Sequence, residues 1–271
     1  MLEQLPQPSR ESLLRVPGVR RLLSGPQLNQ LTRVAPVLHL IREAGGGNKL
    51  LDAGSGSRGV TPWLSGWQVT ALDTSFDDYG AASGPRRHSA QPVLGDIRAI
   101  PFADGEFEVV LALDVLEHLA PGDREDAIGE LARVAGRRLI VACPAGEAAL
   151  ACDRRLAETL LHPPGWLDEH LANGFPGREE LLAMLEPYGR ACLQPNEYVR
   201  SHERLVRAEL SPLPAVGMRL AALLLSVALR AGGPARRAAD ALLLLVRGRD
   251  RLPAYRAVVV VDRPKARAVS T

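Results

Sequence analysis

The chain has 271 residues, 46% hydrophobic and 24% charged, a globular balance that excludes collagen, wholesale disorder and coiled coil. Its 33 basic and 31 acidic residues leave a formal charge of +2, which argues against the concentrated basic face of a nucleic-acid binder. Lysine stands only at Lys49 and Lys265, so any lysine-based catalytic scheme has two positions to work from.

Residues 1–48 read as a helical lead-in. The opening MLEQLPQPSRESLLRV carries early acids and prolines with no apolar h-region, so it is not read as a secretory signal, and a cytoplasmic location is expected. Leu28, Leu31, Val34, Val37, Leu38 and Ile41 then recur at helical spacing until Gly45-Gly46-Gly47 ends the run. From there the period changes. Short apolar runs at Lys49–Ser55, Gln68–Ser75, Gln91–Ile97, Phe107–Leu113 and Arg138–Cys143 predict five strands, with helix-length material between several of them, notably Arg124–Val134. A helix beginning near Val60 is expected after the first strand. Strands separated by helical patterns predict an α/β fold with a doubly wound, parallel sheet.

Beyond the fifth strand, the prolines, Trp166 and glycines of LLHPPGWLDEHLANGFPG predict an ordered loop over 160–177. Arg178–Tyr188 has the spacing of an amphipathic helix, Ala191–Val199 reads as a sixth strand and Tyr255–Asp262 as a seventh. Residues 201–254 hold two apolar helical runs split by Gly232-Gly233-Pro234, too much chain for a hairpin loop, and read as a helical insertion. Three roles are open to it: cover for the sheet, a substrate lid, or a peripheral membrane contact through 213–253. A membrane-spanning role is excluded, because Pro214–Leu229 is interrupted by Arg219 and falls short of the roughly 20 apolar residues required. The main domain is therefore 49–200 together with 255–263. Cys143, Cys152 and Cys192 are dispersed and form no CxxC pair, so neither a disulfide framework nor a metal centre is expected.

The chemistry gathers at strand ends. The first strand closes on Asp52-Ala53-Gly54-Ser55-Gly56-Ser57-Arg58-Gly59, where glycines allow a sharp turn and close approach of the backbone to a ligand. Gly54, Gly56 and Gly59 satisfy the G-x-G-x-x-G spacing, with Asp73 about twenty residues on, so a nicotinamide-dependent oxidoreductase is one reading. Three features weigh against it. Asp52 would repel a pyrophosphate but suits a ligand carrying an ammonium group. Neither lysine forms a Tyr-x-x-x-Lys pair. Asp96, in Gly95-Asp96-Ile97, adds a third strand-end carboxylate to the edge at which open α/β sheets bind ligands.

Four segments in register, LLDAGSGSRG at 50–59, ALD at 71–73, GDIRAIPFADGEFEVVLALDVLEHL at 95–119 and RLIVACP at 138–144, resemble the class I S-adenosylmethionine-dependent methyltransferases. The likeness is to the small-molecule branch that includes quinone-biosynthesis methyltransferases. Many members carry a third glycine where this chain has Arg58; here Gly59 follows one place later.

The resemblance implies a Rossmann-like sheet of seven strands, mostly parallel with an antiparallel last strand, and S-adenosylmethionine as cofactor. It implies that Asp52, Gly54, Ser55 and Gly56 hold the methionine part and that Asp73 takes the ribose hydroxyls, with Thr74 in the same set. Asp96 would accept from the adenine amino group, Ile97 would pack beside the ring, and Asp114 would lie near the transferred methyl. The acceptor is then an oxygen, nitrogen or carbon of a small molecule. His118 and His170 are the candidate bases, with Trp166 and Phe175 as a wall beside His170; architectural roles for all four remain the alternative. A non-catalytic module that keeps the fold is the third reading.

Overall fold

The computed structural model describes residues 26–45, 47–56, 59–76, 90–210, 212–248 and 251–263. The lead-in before residue 26, and Ser57 and Arg58 of the glycine loop, lie outside the described residues.

The first described helix, α1 (Leu28–Ala44), stops where Gly45 takes φ +56°, a left-handed conformation that favours glycine. Seven strands follow in one sheet: β1 (Lys49–Ala53), β2 (Gln68–Asp73), β3 (Gln91–Leu94), β4 (Phe107–Leu113), β5 (Ala135–Pro144), β6 (Arg190–Tyr198) and β7 (Ala254–Asp262). Their spatial order is β3-β2-β1-β4-β5-β7-β6. β1 pairs parallel with both β2 and β4, β2 with β3, and β4 with β5, while β7 runs antiparallel between β5 and β6. The near-continuous apolar runs FEVVLAL and AVVVV mark β4 and β7 as strands covered on both faces, and both are buried along most of their length. The strand order reverses between β1 and β4, which opens a crevice at their carboxyl ends.

One face of the sheet is covered by α2 (Arg124–Val134) and α5 (Arg178–Leu185), which place Ile128, Leu131, Leu181 and Leu185 against Leu51, Val110, Leu139 and Val259. The other carries α1 and the insertion. Among the described residues no α-helix follows β1 before β2: there is a 3-10 turn, Thr61–Trp63, in place of the helix expected near Val60. The loop uses up the chain through Gly59, and Gly66 at φ +83° turns it back into β2 before a helix has room to form.

The insertion supplies the missing cover. It contains three helices rather than two runs: α6 (Val199–Leu210), α7 (Pro212–Ala231) and α8 (Gly233–Val246). Ala222 and Leu229 of α7, with Ala239 and Leu243 of α8, join Leu38, Ile41, Leu50, Val69 and Trp63 in one core, and Trp63 Nε1 donates to Ser226 Oγ at 3.0 Å. The sixth strand ends at Tyr198, because Val199 already begins α6. The loop expected over 160–177 contains α4 (Trp166–Asn173), preceded by α3 (Glu147–Thr159), which the loop punctuation concealed. Among the described residues, no helix is long and apolar enough to cross a membrane.

If α7 is structural cover, emptying its inner face will cost far more than trimming its outer one. Leu229→Ala, at a site 1% exposed, is expected to lower stability by about 2–5 kcal/mol in urea denaturation. Leu224→Ala, at a site 64% exposed, is expected to stay within about 0.5 kcal/mol of the parent.

Candidate functional site

The glycine loop owes its shape to contacts with the two strands beside it. Gly54 and Ser55 donate to the Leu72 carbonyl at 2.8 and 3.3 Å, and Gly59 donates to Ser55 O at 2.9 Å. Gly54 sits at φ +70°, and a Cβ there would stand 2.3 Å from Val115 Cγ2, so no other residue fits. Gly56, at φ +55°, faces open space instead. The loop is thus closed on its β4 side and open at Gly56, where a ligand can approach its backbone.

Asp52 lies buried beneath the loop. Its Oδ2 accepts the Val60 N–H at 2.8 Å, and a Cβ on Gly59 would meet that oxygen at 2.6 Å. Burial pushes its carboxyl up to about 7, against the Val60 hydrogen bond and with the help of the Asp73 charge. Asp73 ends β2, half-buried, and accepts Gly56 N–H at 2.7 Å and Ser75 N–H at 3.1 Å, so it borders the open side of the loop. Thr74 beside it is exposed, and the Ser55 hydroxyl donates to the Gly56 carbonyl.

Asp96 and Ile97 follow β3. Ile97 is buried in the core. Asp96 is held by Arg98, whose Nε and Nη2 both donate to it, at 2.6 Å for the Nη2–Oδ2 contact; these hydrogen bonds hold its carboxyl below the usual range. The same Arg98 reaches Asp123 at 2.7 Å.

Asp114 follows β4 at φ +54° and is engaged on both oxygens. Arg33 of α1 donates to Oδ2 at 2.8 Å and Arg256 of β7 to Oδ1 at 2.8 Å. Burial alone would raise its carboxyl, yet the two guanidinium groups hold it well below the usual carboxylate range. Arg256 is fully enclosed. Desolvation disfavours its charge, but Asp114 and Glu197 outweigh that and keep it protonated. It donates through Nη1 to Glu197, which also accepts from Thr32 Oγ1 at 3.2 Å and lies 3.1 Å from His202 Nδ1. His202 stacks on Tyr255 with ring centroids 3.5 Å apart. Asp114 therefore belongs to a buried ion network, and cofactor contact through its carboxylate would have to displace an arginine.

A second cluster lies beside it. His118 Nδ1 is 2.7 Å from Glu169 Oε2, and His170 Nδ1 is 2.7 Å from Asp153 Oδ2, which the Tyr255 hydroxyl also reaches at 2.9 Å. The two imidazoles are 5.2 Å apart, and Trp166 and Phe175 flank His170 at 4.9 and 5.2 Å. Trp166 and Phe175 thus pack against His170, which is buried rather than on the surface. Desolvation lowers the His118 pKa, opposed by the Glu169 hydrogen bond. Glu117 is buried with neither carboxylate oxygen partnered, and burial, reinforced by the Asp114 charge, raises its carboxyl well above the usual range.

The sequence singled out none of Glu117, Asp153, Glu169, Glu197 or Arg256 as a functional residue. Arg256 had a visible signal, a lone cation within the apolar run YRAVVVVD; Asp153 and Glu169 look like ordinary helix-surface acids.

Residues 51–138 match the family model described as "Methyltransferase domain". Among solved structures, the chain is similar to the plantazolicin methyltransferase BpumL, crystallised with a triazolic desmethylPZN analog and SAH. Identity is 12%, with a TM-score of 0.54 over 94% of each chain. It is also similar to a Haemonchus contortus phosphoethanolamine N-methyltransferase, crystallised with phosphomonomethylethanolamine and S-adenosylhomocysteine. There the identity is 15%, with a TM-score of 0.50 over 84% of this chain and 52% of that one. A search of curated proteins matched none.

The Arg256 network makes a direct stability prediction. Arg256→Met leaves Asp114 with Arg33 alone and Glu197 with Thr32 and His202, and is expected to destabilise the fold by about 3–5 kcal/mol in chemical denaturation. A loss below about 1 kcal/mol would mean that these remaining partners suffice for the two acids.

Proposed function

We infer that the chain, which matches the methyltransferase-domain model over residues 51–138, transfers a methyl group from S-adenosylmethionine to an oxygen, nitrogen or carbon of a small molecule. One observation carries the reading: Asp52 and Asp73 flank a glycine loop at the switch point of the sheet, the loop open at Gly56 and carboxylate-lined at its base. Acidic groups of this kind suit a cationic, hydroxyl-rich ligand and disfavour the pyrophosphate of a nicotinamide cofactor.

When bound, S-adenosylmethionine supplies an electrophilic sulfonium methyl. The protein's task is then to hold the acceptor in line and to exclude water. In this reading Asp52 receives the ammonium group and Asp73 the ribose hydroxyls, exchanging its Gly56 hydrogen bond for them. Gly54, Ser55 and Gly56 border the methionine part, Thr74 stands at the rim, and Ile97 packs beside the adenine. Asp96 meets the adenine amino group only with Arg98 still attached, so its contribution is the weakest of the three acids. Asp114 serves as a positioning residue: it holds Arg33, whose buried Nε has no partner and offers a donor to an anionic group. His118 and His170 stand on the acceptor side, with Trp166 and Phe175 around His170. A cytoplasmic location fits this small-molecule chemistry.

The test is transfer of an isotope-labelled methyl from S-adenosylmethionine into a metabolite extract. Label in a low-molecular-weight product, with S-adenosylhomocysteine accumulating, is expected. Tight binding of NADH with no response to S-adenosylhomocysteine would overturn the reading in favour of an oxidoreductase.

Asp52 also predicts a pH profile. An ammonium group pairs with the carboxylate, not with the neutral acid whose pKa lies near 7. Affinity for S-adenosylhomocysteine, measured by calorimetry, is therefore expected to level off above pH 7 and to fall about tenfold per unit below it. Asp52→Asn should bind more weakly and lose that slope.

A further inference from the structure

We propose that Glu117, His118 and His170 form a binding site for a divalent transition-metal cation. One ligand atom from each residue lies within 4.8 Å of the other two. Four-coordinate zinc at about 2.0–2.1 Å holds its ligand atoms about 3.4 Å apart, so ligation closes this cluster by roughly an ångström. That is within reach of side-chain rotation at the half-exposed His118.

Three observations support the assignment independently of one another. Glu117 is fully buried, yet neither of its carboxylate oxygens has a partner, an arrangement that costs free energy unless a proton or a cation occupies it. Arg124, seven residues on, does not neutralise it: its guanidinium is turned to the carbonyls of Leu116, Asn173 and Gly174.

Second, both histidines are oriented in the way metal-bound imidazoles usually are. Each has Nδ1 against a carboxylate, Glu169 for His118 and Asp153 for His170, which directs Nε2 away from that partner. Asp153 is itself fixed by the Tyr255 hydroxyl.

Third, the two segments that carry the ligands are already clamped together. Arg124 bridges the Leu116 carbonyl to the end of α4, and Asn173 Nδ2 donates to the Glu117 carbonyl at 3.3 Å.

Two imidazole nitrogens with one carboxylate oxygen suit zinc, iron(II), cobalt(II) or manganese(II). Magnesium and calcium favour sites built from oxygen alone. Three protein ligands leave coordination positions open, at which the ion would act as a Lewis acid toward an oxygen of the acceptor. That last consequence rests on the methyl-transfer reading; the metal site does not.

The experiment uses the full chain, stripped with a chelator and titrated with cobalt(II) in the absence of cofactor and acceptor. Visible d–d absorption and equilibrium dialysis report on binding. One cobalt per chain is expected, displaced by zinc and not by an equal concentration of magnesium. Glu117→Gln and His118→Ala should each weaken cobalt binding at least tenfold, and Glu169→Gln, which leaves all three ligands in place, by about 10–100-fold. His39→Ala, on the exposed face of α1, should leave binding unchanged.

Circular dichroism and thermal melting check that each variant folds, and Glu169→Gln, at an exposed position, keeps the test valid if a ligand variant does not. Absence of a saturable cobalt signal, or equal binding by Glu117→Gln, His118→Ala and the parent, would overturn the site; equal displacement by magnesium would overturn the choice of ion. Calorimetry with S-adenosylhomocysteine in chelator keeps the two readings apart. Binding of S-adenosylhomocysteine without cobalt binding removes only the metal site; cobalt binding without it removes only the methyl-transfer reading.

Discussion

Much of this architecture depends on one buried positive charge. Arg256 stands near the start of a strand that is otherwise apolar up to its last residue, and a guanidinium in that environment is tolerable only if opposite charges reach it. Asp114 comes from the end of β4, Glu197 from β6, and Arg33 of α1 closes the far side of Asp114. Glu197 is held in turn by Thr32 of α1 and His202 of α6. Both acids sit in left-handed backbone, at φ +54° and +64°, conformations that L-residues seldom adopt without surrounding support. A buried ion pair adds little net stability over an apolar substitute, so its significance lies in specificity: it fixes how α1, β4, β6, β7 and α6 meet.

That meeting point is also where the carboxyl edge of the sheet ends and the insertion begins. The same strand β7 carries Arg256 into the ion network and Tyr255 toward Asp153, so His170 and Asp114 are positioned by adjacent residues of one strand. His202, stacked on Tyr255, links the two clusters a second time. The carboxyl edge of the sheet and the histidine cluster thus share one support. The insertion plays a further part on the opposite side of β1. There α7 and α8 cover the sheet that a helix after β1 would otherwise protect, and Trp63 is the side chain around which they close.

The strands were legible because fully buried parallel strands announce themselves as uninterrupted apolar runs, and their ends moved by only a few residues. The glycine loop and Asp52, Asp73 and Asp96 were legible because strand-end position follows from those runs directly. What misled was punctuation. Pro163, Pro164 and the glycines around Trp166 look like a loop, but the eight residues between them form α4. Conversely, the helix expected near Val60 after the glycine loop is only a 3-10 turn, because Gly66 and the start of β2 left no room.

By itself, then, the sequence determined the fold class and the strand-end positions of its acids, since each depends on local pattern and on residue type. Only the tertiary structure decided what those acids are free to do. Asp52 is buried with a backbone N–H, and no cation among the described residues, against it; Asp96 is taken by Arg98, and Asp114 is taken by two arginines, one of them more than 140 residues away in the chain. It also brought His170 to Glu117 and His118 across two intervening helices, α2 and α3, and the strand β5. Such pairings depend on which distant elements pack together, and no periodicity in a single chain records that; burial then sets their consequences, because a charge with no partner in a low-dielectric interior must find one or give up its ionisation.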